Sequence, residues 1–319
     1  MLLYQYTSAV ELTVLSSLAD DVIWLVVSHC DIPTVLAWRL TSRKTFAIAA
    51  SVLRARYSDL LRPFVSNTAA LSDALRRHGA VISGSMALYF FLPCASWSPN
   101  DLDIYVSYDE FPAFVRTLEN DPMLQFRPVS PSGPWPIPLS ISLDIAEIRK
   151  LSTPSHRLVD VIRSRRSTPV SPLVQFWTSM LVNFITPDAC VATFPRMLFK
   201  GRGYIKEFGM TSRDEAAMTK YTRRESRPGE KFTFVPELWG TWKNPSYWQK
   251  DHFSDRGALV VNFRRRVQDS MPPLPIRPSD DGWKLIVPFP GSTYLRLLIP
   301  AAGHLIRLLS RRRNRRRGG

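Results

Sequence analysis

The sequence predicts an α+β protein: a helical segment over residues 1–64, a mixed β-sheet flanked by helices over 65–265, and a Pro-rich, basic tail over 266–319. Three observations carry this. Apolar residues recur at helical spacing from residue 18 to about residue 64. Beyond them come short β-rich runs such as Val81-Ile82 and Leu102-Asp103-Ile104-Tyr105-Val106, and the end of the chain combines Pro272, Pro273, Pro275 and Pro278 with six Arg in residues 311–317. With 319 residues, 45% of them hydrophobic, the chain can bury a real core and, at about 100–200 residues per domain, form two domains.

The helical segment divides into three. Asp20 and Asp21 suit the positive end of a first helix, Asp31 with Pro33 opens a second, and Ser42 caps a third that runs through Phe46 to Tyr57. Apolar residues occupy more than one face of these helices, at Ile23, Val26 and Val27 and again at Val35, Leu36 and Leu40. Three short helices cannot bury that much among themselves, so a partner is expected. With Leu18, the Asp21-Val22-Ile23 start, Val26-Val27, Leu36 and Leu40-Thr41-Ser42-Arg43 in place, the segment resembles an F-box, carrying Ala19 where that family usually has Pro. The resemblance implies docking onto the adaptor subunit of a cullin-type ubiquitin ligase, with Leu18, Ile23, Val27, Leu36 and Leu40 as the contact residues.

Residues 66–78 read as a helix leading into a strand that ends at Val81-Ile82. Gly84-Ser85 is a tight turn and a helix opens at Met86, so the Ser85 hydroxyl and nearby backbone N–H groups sit where an anion such as phosphate binds. In the next strand Asp101 and Asp103 flank Leu102. Side chains alternate along a strand, so both carboxylates leave one face while Leu102 and Ile104 enter the core, and paired carboxylates attract a divalent metal. A helix follows over 109–120, then an exposed loop over 127–142 broken by five prolines, and a strand over 139–148 carrying Asp144 and Glu147. Another strand over 156–163 places Asp160 between Val159 and Val161, facing the first two carboxylates, with Asp144 as the reserve candidate. Residues 172–185 have helical periodicity and are expected to cover the sheet; residues 260–263 look like a late strand.

Gly84-Ser85 after a strand, Asp101 and Asp103 on the next and Asp160 on a later one resemble the nucleotidyltransferase superfamily over about residues 75–200. The gap from Ser85 to Asp101 is longer than is usual there and contains Pro93 and Pro99. The resemblance implies that Asp101 and Asp103 hold metal ions on a nucleoside triphosphate, that Asp160 helps position the attacking hydroxyl, and that Gly84 and Ser85 grip the phosphates. Mg2+ and a nucleoside triphosphate are the implied cofactors. The joint arrangement of Asp160, the helical segment over 172–185 and its Asn183-Phe184-Ile185-Thr186 end resembles a group of fungal proteins that join an F-box to a nucleotidyltransferase-like domain. Two functions are therefore expected: a substrate-recruiting ligase adaptor whose second domain binds nucleotide, or an active enzyme moving a nucleoside monophosphate onto a hydroxyl.

Charge narrows the partners. The 42 Lys and Arg against 27 Asp and Glu give +15, and +9 remains without the six terminal Arg, so nucleotide, nucleic acid or anionic lipid is favoured. Lys200-Gly201-Arg202-Gly203-Tyr204, Lys220-Tyr221-Thr222-Arg223-Arg224 and the cluster Trp239, Trp242, Tyr247, Trp248 interleave cations with rings. That composition suits base stacking and equally suits a small core with solvated Arg. The tail over 294–317 reads first as a nuclear-import signal and second as a membrane-surface helix. Cys30, Cys94 and Cys190 are odd in number and far apart, which fits a reducing compartment rather than a disulfide framework or zinc site; nucleus or cytoplasm is expected. Residues 1–18 lack a basic leader and a cleavage pattern, no apolar run reaches the roughly 20 residues that span a bilayer, and the five His show no ligand spacing.

Overall fold

The computed structural model describes residues 18–93, 96–129, 144–205, 210–235 and 258–263, with the side chain of Val174 left out. The Pro-rich stretch over 130–143, the Trp239 to Trp248 cluster and the basic tail lie outside the described residues.

Of the three N-terminal helices the second and third start at side-chain caps, while the first follows Ala19 with none. Helix α1, Asp20–Ser28, opens with two acidic residues against the N-terminal dipole. Helix α2, Ile32–Arg39, is capped by Asp31, whose carboxylate accepts the Thr34 N–H. Helix α3, Arg43–Leu61, starts in a capping box in which the Ser42 hydroxyl accepts the Thr45 N–H and the Thr45 side chain returns a bond to the Ser42 backbone. Helix α4, Thr68–Arg77, is capped by Asn67. The chain then enters β1, Val81–Ser83, and turns directly into α5, Gly84–Phe91.

Strand β2, Asp101–Val106, and helix α6, Phe111–Asn120, follow, then β3, Arg127–Pro128, β4, Ile145–Ser152, and β5, Leu158–Ser164. Strands β6, Asn183–Ile185, and β7, Ala189–Ala192, lead to helix α7, Pro195–Leu198, and strand β8, Arg202–Tyr204. Helix α8, Ser212–Thr222, precedes β9, Glu225–Arg227, β10, Glu230–Lys231, and β11, Thr233–Val235; β12, Leu259–Asn262, comes last. Eight strands make one mixed sheet in the order β12-β7-β6-β1-β2-β5-β4-β3. Only the central β2–β5 pair in it is parallel.

One face of this sheet, with Ile82, Leu102, Ile104, Val159, Val161 and Ile185, shares a continuous hydrophobic core with the helices, and that core includes Ile23, Val27 and Leu36 from α1 and α2. The N-terminal helices are therefore packed into the sheet domain. Arg39 and Arg54 donate to the carbonyls of Asn262 and Phe263 at 2.8 and 2.6 Å, which ties α2 and α3 to the end of β12. The opposite face buries Val81, Tyr105, Ile162, Leu173, Phe184 and Val260.

Two expectations change. Residues 172–185 are not a helix: they form two 3-10 turns, Ser171–Gln175 and Ser179–Leu181, and then strand β6. Leu173, Trp177, Met180, Leu181, Phe184 and Ile185 are buried, and the Asn183 amide donates to the Met180 carbonyl while the Thr193 hydroxyl donates to that of Val182, so tertiary partners replace helical ones. The expected 127–142 loop begins instead with a two-residue strand on β4, which itself starts at Ile145 and extends to Ser152. The late strand lies within one residue of its expected position and completes the large sheet by pairing with β7.

Candidate active site

Strand register assembles the site. Ser83 on β1 lies opposite Asp103 on β2, Asp103 is level with Asp160 on β5, and Asp160 lies opposite Lys150 on β4. Side chains level with one another across neighbouring strands share a face, so the sheet carries a transverse row Ser83, Asp103, Asp160, Lys150, with Asp101 two residues along β2 from Asp103. Leu102, Ile104, Val159 and Val161 point the other way and are fully buried, which holds the row in place.

The turn after β1 abuts this row. Gly84 has a φ of +66°, a conformation only glycine adopts without strain, and a β-carbon there would collide with the Asp103 carboxylate. The Ser83 hydroxyl is turned inward, donating to the Asn183 carbonyl, so it does not cap α5. The first-turn N–H groups of α5 thus have no side-chain cap, and half-buried Ser85 stands among them.

Crowding governs the charges. Burial, then the neighbouring Asp101 and Asp160 carboxylates, push the Asp103 carboxyl up to about 8, against the pull of Lys150 and Arg213. Asp160 is held by Lys150, whose ammonium lies 3.0 Å from each carboxylate oxygen. Arg213, in the first turn of α8, is close enough to act on both Asp103 and Tyr105. Tyr221, at the other end of α8, is buried with its phenol pushed up by desolvation and feels Asp103 and Asp101; it packs with Trp97, over which the Arg224 guanidinium sits at 4.2 Å. Arg213 and Tyr221 thus lie within electrostatic reach of the carboxylates.

The structure brings Gly84, Ser85, Asp101, Asp103 and Asp160 together. The reserve carboxylate Asp144 lies elsewhere, paired to Arg166 at 3.0 Å and accepting from Gln175 at 3.1 Å. Lys150 and Arg213 escaped the sequence reading because each lies in an ordinary polar position, and only register or packing reveals what it faces. The donor set suits Mg2+, which takes hard oxygen ligands, commonly one or two carboxylates completed by water and phosphate oxygens. Among the described residues no group of three His, Cys, Asp or Glu forms a metal cage.

The expected partner-contact residues separate. Ile23, Val27 and Leu36 are buried in the core and Leu18 is partly buried against it, so these four do not form an outward docking face; of the five only Leu40, at 53% exposure, does. Val22, Leu25 and Val26 are exposed on α1, and none of the three belongs to the expected contact set. A comparison of the chain with family models, with curated proteins and with solved structures finds no match. No helix among the described residues is long and apolar enough to cross a membrane.

Proposed function

We propose that the chain carries a Mg2+-dependent nucleotide site of the nucleotidyltransferase type, acting on a nucleoside triphosphate. The observation that carries this reading is the level placement of Asp103 beside Asp160 on adjacent strands, hard against the glycine turn that opens α5. Asp101 and Asp103 are the residues that would hold the ion, which supplies charge neutralisation at the phosphates. The uncapped N–H groups of α5 and the Ser85 hydroxyl bind phosphate oxygens, as helix N-termini do, and the missing side chain at Gly84 lets the Asp103 carboxylate stand against the same turn. Arg213, whose charge acts on Asp103, would add a cation for the same phosphates. Asp160, oriented by Lys150, orients the acceptor hydroxyl.

Equilibrium binding of ATP, CTP, GTP and UTP with and without Mg2+ tests this. Wild type is expected to bind at least one of them in a Mg2+-dependent manner, and Asp101→Asn/Asp103→Asn to bind none; no binding by wild type overturns the reading.

A second reading has its own observation. Val22, Leu25 and Val26 are 43%, 56% and 47% exposed on α1, and Leu40 stands exposed beyond α2, an apolar surface that suits docking onto the adaptor subunit of a cullin-type ligase. Such an adaptor would act in the nucleus or cytoplasm. Leu25→Glu and Leu40→Glu then abolish adaptor pull-down without unfolding the chain, and retained capture by both variants rejects the idea.

A further inference from the structure

We infer that Lys150 stands where a second metal ion would otherwise sit, so that the site takes one divalent cation per bound nucleotide. The inference rests on the nucleotide-site reading and says how that site manages its charge. Three carboxylates, Asp101, Asp103 and Asp160, line one stretch of two adjacent strands, and like charges placed that close repel. A site of this kind can be neutralised by two ions or by one ion and a fixed cation. Here the fixed cation is in place: Lys150 lies opposite Asp160 in the β4–β5 register, and its ammonium is 3.0 Å from both oxygens of that carboxylate. The fixed positive charge against both oxygens disfavours a second cation at Asp160, while the remaining lone pairs can still accept from a hydroxyl, so the metal falls to Asp101 and Asp103. Two carboxylates with phosphate and water oxygens satisfy one octahedral ion.

The side chains of Lys150 and Asp160 are 37% and 23% exposed, so the pair borders the open side of the site and is accessible to substitution. Mn2+ replaces Mg2+ as the probe, titrated into the full chain saturated with α,β-methylene ATP and, in parallel, the corresponding CTP, GTP and UTP analogues. Bound ions per nucleotide-bound chain are counted by electron paramagnetic resonance, with analogue alone as the reference. Wild type and Lys150→Arg are expected to bind one ion, Lys150→Met two, and Lys150→Met/Asp160→Asn one again, because the second ion needs the freed carboxylate. Two ions in wild type, or one in a Lys150→Met variant that keeps the wild-type circular dichroism spectrum, overturns the inference and leaves the nucleotide site standing. Absence of any analogue-dependent Mn2+ binding in wild type overturns the underlying reading and this inference with it.

Discussion

Asp103 gathers the tension of the site into one side chain. Its carboxyl is raised from 3.8 to about 8, so the folded chain keeps a proton that the unfolded chain releases on going from about pH 4 upward. The metal-free fold therefore loses stability as pH rises from about 4 to 8. Asp103→Asn, a neutral side chain of the same shape, is expected to flatten that slope and to stabilise the metal-free protein near neutral pH by roughly 1–3 kcal/mol, the usual scale for relieving a poorly solvated polar group. Thermal melts across pH 4–8 check it; an unchanged slope contradicts the assignment. Gly84 makes the opposite case. Gly84→Ala places a β-carbon against the Asp103 carboxylate at a positive φ, so it is expected to cost about 1–3 kcal/mol and to weaken nucleotide binding, read by denaturation and equilibrium binding.

At the scale of elements, the caps explain which helices could be read in advance and which segment could not. Asp31 and Ser42 are caps whose side chains bond the first turn, so α2 and α3 begin where the sequence places them. Residues 172–185 carry the same helical spacing of apolar residues, yet the chain there folds as 3-10 turns and a strand. A segment apolar on all sides gives no directional signal, and pairing of β6 with β1 and β7 outweighs a weak helix preference. Helix α1 shows a similar ambiguity between its two faces. Ile23 is 1% exposed and Leu25 is 56% exposed, so Ile23→Glu is expected to cost more than about 3 kcal/mol and Leu25→Glu less than about 0.5 kcal/mol in chemical denaturation. Similar losses from both would show that α1 packs differently.

On the scale of the whole molecule, the two ends of the described chain are fastened to each other. Phe263, after β12, is fully buried, with its ring 6.3 Å from that of Tyr57 on α3 and 5.7 Å from that of Phe90 on α5. Helices, turn and sheet thus share one core. Phe263→Ala is expected to cost about 3–5 kcal/mol, and wild type to unfold in a single transition that includes the N-terminal helices. Near-ultraviolet circular dichroism and far-ultraviolet circular dichroism are expected to give coincident curves. Separate melting of a helical unit would show that the first helices fold by themselves.

The sequence by itself determined the α+β class, the three helices at the start, two of them capped, the glycine turn after β1 and the strand that sends Asp101 and Asp103 to one face. These rest on local chemistry: side-chain caps, the glycine requirement and two-residue alternation act within a few residues of one another. Only the tertiary structure decided that Asp160 is level with Asp103, that Lys150 locks Asp160, that Asp144 belongs elsewhere and that Ile23, Val27 and Leu36 face inward. Each of these depends on register or packing between segments far apart in the chain. A one-residue slip would turn any of those strand side chains to the other face of the sheet, so alternation within a single strand does not determine the outcome.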